Sequence, residues 1–267
     1  MSNRKGFTEA DVPDQSGKSF IVTGANAGVG FEVSRALAAR GARVLLGCRD
    51  QAKAAEAITR IKRITPKADV SWLSLDLGDI ESIRATARAV AAEPRIDGLI
   101  NNAGVMNPPL MRTRQGFESQ FGVNHLGVFA LTSLLLPKLA QTPGSRVVVT
   151  SSIAHFKGKI DWDDLNAEHG YSKGERYGGS KLANALFFFE LDRRLRASRS
   201  PIKAVGIHPG VASTSLGRHM GPAQLAGPIV GLLLNSADKG AWPALLAATG
   251  RVKPGGYYGP IGFGGIR

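Results

Sequence analysis

Short runs rich in Val, Ile and Leu recur along the chain at 19–23, 43–47, 70–75, 96–100, 146–150 and 202–207. Between them, apolar positions repeat with helical spacing over 29–40, 51–63, 80–92, 115–140 and 178–197. Strands alternating with helices predict a doubly wound α/β fold of about seven strands, with a parallel sheet covered by helices on both faces. The run Arg146-Val147-Val148-Val149-Thr150 has no polar alternation, as expected of a strand buried on both sides. No repeat, low-complexity tract or linker marks a second domain, so the pattern reads as an N-terminal arm over 1–16 and one domain over 17–267. Residues 211–230, rich in Gly, Pro, Ser and Met, read as a substrate flap, and the glycine-rich end, 254–267, as poorly regular.

Composition narrows the classes. The 267 residues are 43% hydrophobic and 21% charged, which supplies a sizeable core and argues against disorder. The single cysteine, Cys48, excludes an internal disulfide and a cysteine-based zinc cage. The five histidines, at 125, 155, 169, 208 and 219, show no metal-ligand spacing, so no metal is expected. Met1 to Gln15 is polar and lacks the apolar centre of a signal peptide. The longest apolar stretches, 126–139 and 224–234, fall short of the ~20 residues a membrane span needs. The expectation is a soluble, cytoplasmic protein with no transmembrane segment. A net charge of +13 raises the question of nucleic acid, but the Lys and Arg residues are scattered and no nucleic-acid motif accompanies them, so no such partner is expected.

Two local patterns carry chemistry. After the first strand comes Thr23-Gly24-Ala25-Asn26-Ala27-Gly28-Val29-Gly30, a glycine-rich turn opening a helix. Glycines let the backbone approach a pyrophosphate, and the helix offers free N–H groups and the positive end of its dipole. At the end of the second strand, where an NAD site usually has a carboxylate about 20 residues past the glycines, this chain has Cys48 followed by Arg49. An arginine there can clamp a 2′-phosphate, which favours NADP (as NADPH) over NAD. The second pattern is Tyr177-Gly178-Gly179-Ser180-Lys181. A spacing of four puts the phenol and the ammonium on one helix face, where the cation is expected to lower the phenol pKa.

With these motifs the chain resembles the short-chain dehydrogenase/reductase family over roughly residues 15–258. The resemblance rests on Thr23-Gly24-x3-Gly28-x-Gly30, Asp76-Leu77, Asn101-Asn102-Ala103-Gly104, Asn124, Ser151-Ser152, Tyr177-x3-Lys181 and Pro209-Gly210 followed by Thr214. Gly47-Cys48-Arg49-Asp50, Val123-Asn124-His125-Leu126-Gly127 and Ser180-Lys181-Leu182-Ala183-Asn184 look like its retinol dehydrogenase and protochlorophyllide reductase-like branch. The resemblance implies a Rossmann fold and an NAD(P)-dependent oxidoreductase acting on a carbonyl or alcohol. It implies Tyr177 as general acid or base, Lys181 holding the nicotinamide ribose, Ser152 bonding the substrate oxygen, and Asn124 holding a relay water. By the same resemblance Gly24, Asn26, Gly28, Val29, Gly30, Arg49, Asp76, Leu77, Asn101, Ala103 and Gly104 bind the dinucleotide. Pro209, Gly210, Val211 and Thr214 then meet the carboxamide. Bland alternatives stand beside these roles: Asn124 and Asp76 as helix caps, Ser151 in place of Ser152, and His125, His155 and His208 as structural residues.

Relatives that use NADP often carry a second basic residue in the turn, where this chain has Asn26-Ala27, which leaves Arg49 to hold the phosphate alone. Retinol-type relatives often begin with a membrane-anchoring helix that is not read here, so a retinoid substrate does not follow. Met106, Phe156, Leu216 and Met220 are candidate pocket residues beside Ser152 and Tyr177, and they point to a lipophilic small molecule. Helix 178–197 is apolar on more than one face, which predicts a homo-oligomer, dimer or tetramer. The alternative to an enzyme is a sensor or scaffold that binds a dinucleotide without catalysis. The complete set Asn124, Ser152, Tyr177 and Lys181 argues against it.

Overall fold

In a computed structural model, which describes residues 6–210 and 235–261, the alternation becomes seven parallel strands in one sheet. They are β1 (Ser19–Thr23), β2 (Arg43–Cys48), β3 (Val70–Ser74), β4 (Gly98–Asn101), β5 (Arg146–Thr150), β6 (Lys203–Ile207) and β7 (Tyr257–Tyr258). Their order across the sheet is β3-β2-β1-β4-β5-β6-β7. The order reverses between β1 and β4, and a crevice forms at such a reversal, outside the carboxyl ends of the strands.

The strands are buried on both faces because successive side chains enter different cores. Phe20 and Val22 of β1 join one hydrophobic cluster and Ile21 the other. In β5, Val148 faces one way and Val147 and Val149 the other. The first face is covered by α1 (Gly28–Ala39), α2 (Gln51–Ile64) and α7 (Ala237–Thr249). The second is covered by α3 (Ile80–Ala91), α5 (Gly127–Leu139) and α6 (Lys173–Ala197). Asp50 and Asp79 start α2 and α3 by accepting bonds from Lys53 N and Glu81 N, both at 3.1 Å. None of the described helices is long and apolar enough to cross a membrane.

The structure departs from the sequence pattern in four places. The predicted helix 115–140 is a short α4 (Ser119–Phe121), a π-helical turn over Gly122–Leu126, and then α5. Residues 112–118 belong instead to a turn closed by an antiparallel bridge between Arg112 and Glu118. Second, α6 starts at Lys173, one turn before the glycine pair that marked its predicted start. Third, α7 and β7 lie in a stretch where glycines and prolines hid the periodicity, and Tyr257 pairs with Gly206. Fourth, residues 7–16 of the N-terminal arm pack on the domain. Val12 is buried, and Glu9 holds Arg35 of α1 at 2.5 and 2.9 Å.

Candidate functional site

The chain's chemistry gathers at the carboxyl ends of β1, β2, β4, β5 and β6. Thr23, the last residue of β1, locks β1 to the loop after β4. Its hydroxyl accepts from Asn102 N at 3.0 Å and Ala103 N at 2.9 Å, and Asn102 Nδ2 donates to Thr23 O at 2.9 Å. Gly24 turns in the left-handed region, φ +66°, against Ala103. A Cβ on Gly30 would collide with the Gly24 carbonyl oxygen and lie 2.5 Å from Asn102 Nδ2. The turn is therefore as close as backbone allows. Helix α1 opens after Ala27, with no side chain capping its first N–H groups. Asn26 and Val29 lie on this turn. Uncapped N–H groups over a glycine surface form a cradle for an anion, so the residues present fit a dinucleotide pyrophosphate.

At the end of β2, Cys48 is buried and its thiol is pushed up to about 11, first by burial and then by Asp50. The position thus carries no negative charge at neutral pH. Asp50 is turned onto α2, as its cap and as an ion pair with Lys53 at 3.4 Å. Arg49 is exposed and has no ion-pair partner among the described residues.

Farther along, Asp76 Oδ1 accepts from Gly78 N at 2.8 Å, and Asp79, not Asp76, caps the helix that follows. Leu77 does not line the crevice with its side chain, which is buried in the second core. Asn101 likewise braces β4 against α5, donating from Nδ2 to Thr132 Oγ1 at 3.0 Å, and its Oδ1 has no partner. Ala103 and Gly104 continue the loop along the crevice.

The expected tetrad converges. Asn124 sits in the π-helical turn, fully buried, with Oδ1 accepting from Val105 N at 2.7 Å. Its Nδ2 donates to Val105 O at 2.9 Å and to Ser180 Oγ at 3.0 Å. A Cβ on Gly104 would meet Asn124 Oδ1 at 3.1 Å and Lys181 Nζ at 3.5 Å, so both groups border the same small space. Lys181 is buried and donates to Thr150 O at 3.2 Å, and burial lowers its pKa to about 8. Its Nζ lies 5.7 Å from the centre of the Tyr177 ring, over the ring.

This geometry corrects the expectation that Lys181 lowers the phenol pKa. The buried Tyr177 phenol is held above its ordinary value by desolvation, and a hydrogen bond with Ser152 pulls the other way. The ammonium points at Thr150 O rather than at the phenol oxygen. The two serines also separate: Ser151 Oγ is spent on Lys181 O at 2.7 Å, whereas Ser152 meets Tyr177. Tyr171 is tied to Pro108 O at 2.9 Å and to Gln120 at 3.1 Å.

A scan for known families matches short chain dehydrogenase over residues 18–224. The chain belongs to the short-chain dehydrogenase family. Human retinol dehydrogenase 13 is 45% identical over 249 residues, covering 90% of this chain and 74% of that protein. Human retinol dehydrogenase 11 is 47% identical over 204 residues, covering 76% and 64%. An uncharacterized protein from Mycobacterium paratuberculosis superposes with a TM-score of 0.81 at 40% identity, covering 98% of this chain and 87% of that one. The NADP active-site complex of RhlG from Pseudomonas aeruginosa superposes at 0.73 with 25% identity, covering 91% and 94%. The chain is therefore an oxidoreductase of the retinol dehydrogenase-like branch of the short-chain dehydrogenases.

Several participants escaped sequence reasoning. Thr23 and Asn102 form the lock beneath the glycine turn, and Ser180 fixes Asn124. Ser180 is the third residue past Tyr177, facing back along the helix, and that spacing was the available signal. The glycines inside Tyr177-Gly178-Gly179-Ser180 also have a reason. A Cβ on Gly179 would lie 2.5 Å from Lys159 O, so the loop after β5 packs directly on α6 backbone. His155 Nδ1 sits 2.5 Å from Ser152 O and 3.4 Å from Tyr257 Oη, bracing the serine from a strand the sequence pattern did not show. Of the candidate pocket residues, Met106 is half-buried beside the crevice, and Phe156 is 77% exposed with its ring 4.2 Å from that of His155. Gly210 N donates to His208 Nδ1 at 3.2 Å beyond Pro209. Val211, Thr214, Leu216 and Met220 lie outside the described residues.

Proposed function

We propose that this short-chain dehydrogenase interconverts a carbonyl and an alcohol with NADP(H), using Tyr177 as the proton donor and acceptor. The observation that carries the reading is the convergence of buried Tyr177 with Lys181, whose Nζ lies 5.7 Å over its ring and shares the space at Gly104 with Asn124, beside the glycine-turn crevice. The nicotinamide cofactor, when bound, supplies or takes up the hydride. Gly24, Asn26, Gly28, Val29 and Gly30 would hold its pyrophosphate over the N-terminus of α1.

For carbonyl reduction, Ser152 would hold the substrate oxygen and Tyr177 would deliver the proton to it. For alcohol oxidation the phenolate would take that proton back. Desolvation keeps the phenol protonated at neutral pH, which suits the reducing direction. Lys181, with a pKa of about 8, exchanges its proton near neutrality and can replace the one that Tyr177 gives up. A water in the space that Lys181 and Asn124 share at Gly104 would carry that exchange outward.

Preference for NADP rests on charge. Arg49 is exposed and unpaired among the described residues, Cys48 is neutral, and the adjacent Asp50 is turned onto Lys53. A 2′-phosphate would meet attraction and little repulsion there.

The exposed Phe156 and half-buried Met106 support a lipophilic substrate. A homo-oligomer is supported by Phe129 and Leu134 on α5 and Leu186 and Phe189 on α6, each at least 45% exposed. A monomer mass in solution would overturn that assembly.

The test is fluorescence titration with NADPH and NADH, followed by a screen of apolar ketones and aldehydes with Tyr177→Phe as control. NADPH binding with turnover lost in the variant is the expected result. Unchanged turnover by Tyr177→Phe would remove the proton role, and failure to bind either nucleotide would remove the reading as a whole.

A further inference from the structure

At the opposite end of the sheet, a cleft of about 470 Å³ is lined by Arg146, Lys203, Gly250, Arg251, Val252, Lys253 and Tyr258. Arg146 and Lys203 are the first residues of β5 and β6, while the catalytic crevice lies past Thr150 and Ile207 at the other ends; the Tyr258 backbone pairs with Ile207, and its side chain reaches back to Lys253. Four residues of strand separate the two ends by about 13 Å of backbone.

The cleft gathers four cations and no carboxylate. Two arginines on this edge do have acids: Arg43 pairs with Asp69 and Glu93, and Arg95 with Asp97. None of Arg146, Lys203, Arg251 or Lys253 has a carboxylate partner among the described residues. Arg146 is the telling member. It is half-buried, burial alone pulls its pKa down, and no acid opposes that cost. One N–H group donates to Ala247 O at 2.7 Å near the end of α7, which fixes the guanidinium, and its other donors have no partner among the described residues.

The wall beside these charges is built as well. Tyr258 Oη accepts from Lys253 N at 2.9 Å, and a Cβ on Gly256 would lie 2.6 Å from the tyrosine ring. The ring is thus held flat over bare backbone, with Val252 adding an apolar neighbour.

We propose that this basal cleft is a second ligand site, which binds a small soluble di- or polyphosphate anion. An uncompensated, partly desolvated guanidinium with three further cations around a concavity recognises phosphoryl oxygens. The tyrosine face gives an attached organic group a surface to stack on. The four cations lie outside the cofactor crevice, and the site does not rest on the reading proposed for that crevice.

The test uses inorganic pyrophosphate on the full chain, followed by backbone amide NMR. Pyrophosphate can also enter the glycine turn, so the readout is local. Amide signals of residues 250–253 should shift in the wild type, and Lys203→Gln/Arg251→Gln should weaken that response at least about tenfold through loss of two charge-assisted contacts. Both changes lie on the rim, and circular dichroism checks that the variant folds. No shift at 250–253, or equal affinity in the two proteins, would overturn the proposal. Binding to phosphatidylglycerol vesicles that pyrophosphate does not displace would also overturn it, assigning the cations to a membrane phosphate instead.

Discussion

Lys181 is expected to be a residue whose removal stabilises the protein. It is buried, and no carboxylate faces it. Its pKa falls from an ordinary 10.5 to about 8 through desolvation alone. At about 1.4 kcal/mol per pKa unit, holding the ammonium inside costs the fold about 3 kcal/mol. The folded state binds this proton less tightly than the unfolded state does. The penalty is therefore complete below pH 8, shrinks as pH rises from 8 to 10.5, and is absent above that. Lys181→Met keeps the volume and removes the charge. It also removes one bond to Thr150 O, worth about 1 kcal/mol, and that oxygen still accepts from Asn184 Nδ2 at 3.2 Å. The net expectation at pH 7 without nucleotide is a gain of about 2 kcal/mol, or roughly 4–8 °C in Tm for a domain of this size. Urea denaturation of both proteins from pH 7 to 10.5 measures it. A variant no more stable than wild type at pH 7 would refute the reasoning, as would a gain that stays constant across that range. Turnover should vanish in the same variant.

Other consequences can be checked directly. Arg49→Ala should raise KM for NADPH about 10- to 100-fold, the value of one or two charge-assisted contacts, and leave NADH unchanged; an equal effect on both nucleotides would remove Arg49 from the 2′-phosphate. Gly30→Ala forces a methyl into the Gly24 carbonyl and Asn102, so nucleotide binding should be lost with a stability cost of about 1–3 kcal/mol, read by titration and thermal melting. In ultraviolet difference titration of the nucleotide-free protein, the phenol missing from Tyr177→Phe should ionise above pH 10, because burial raises its pKa. Ionisation near neutrality would show that Lys181 dominates after all.

The sequence pattern carried the fold well where strands are continuous and apolar. The predicted β1 and β5 coincide with the observed Ser19–Thr23 and Arg146–Thr150, because a strand buried on both faces must be apolar throughout. It failed where tertiary contacts decide. The helix expected over 115–140 breaks into a π-helical turn at Gly122–Leu126, the turn that carries Asn124. Gly127 explains part of this, since a Cβ there would collide with Leu77 O, and the chain must follow a neighbour that no local periodicity reveals. β7 is only Tyr257 and Tyr258, held by pairing with β6, and a two-residue strand leaves no period to detect.

The site shows the same division between identity and environment. Spacing alone placed Tyr177 and Lys181 on one helix face, and the structure keeps them there. Spacing says nothing about where a long side chain ends, however, and that decided the electrostatics. Lys181 Nζ reaches Thr150 O, the phenol is left to burial and Ser152, and the two groups move in opposite directions: the phenol up, the ammonium down. A phenol whose pKa burial raises, next to a lysine with a pKa of about 8, suits proton donation better than the phenol of lowered pKa that the motif alone implied. That preference belongs to the protein without nucleotide. A bound cofactor would add its own charge to the site, so the pH profile of turnover should differ from the titration of the free protein, and the difference would measure the cofactor's share.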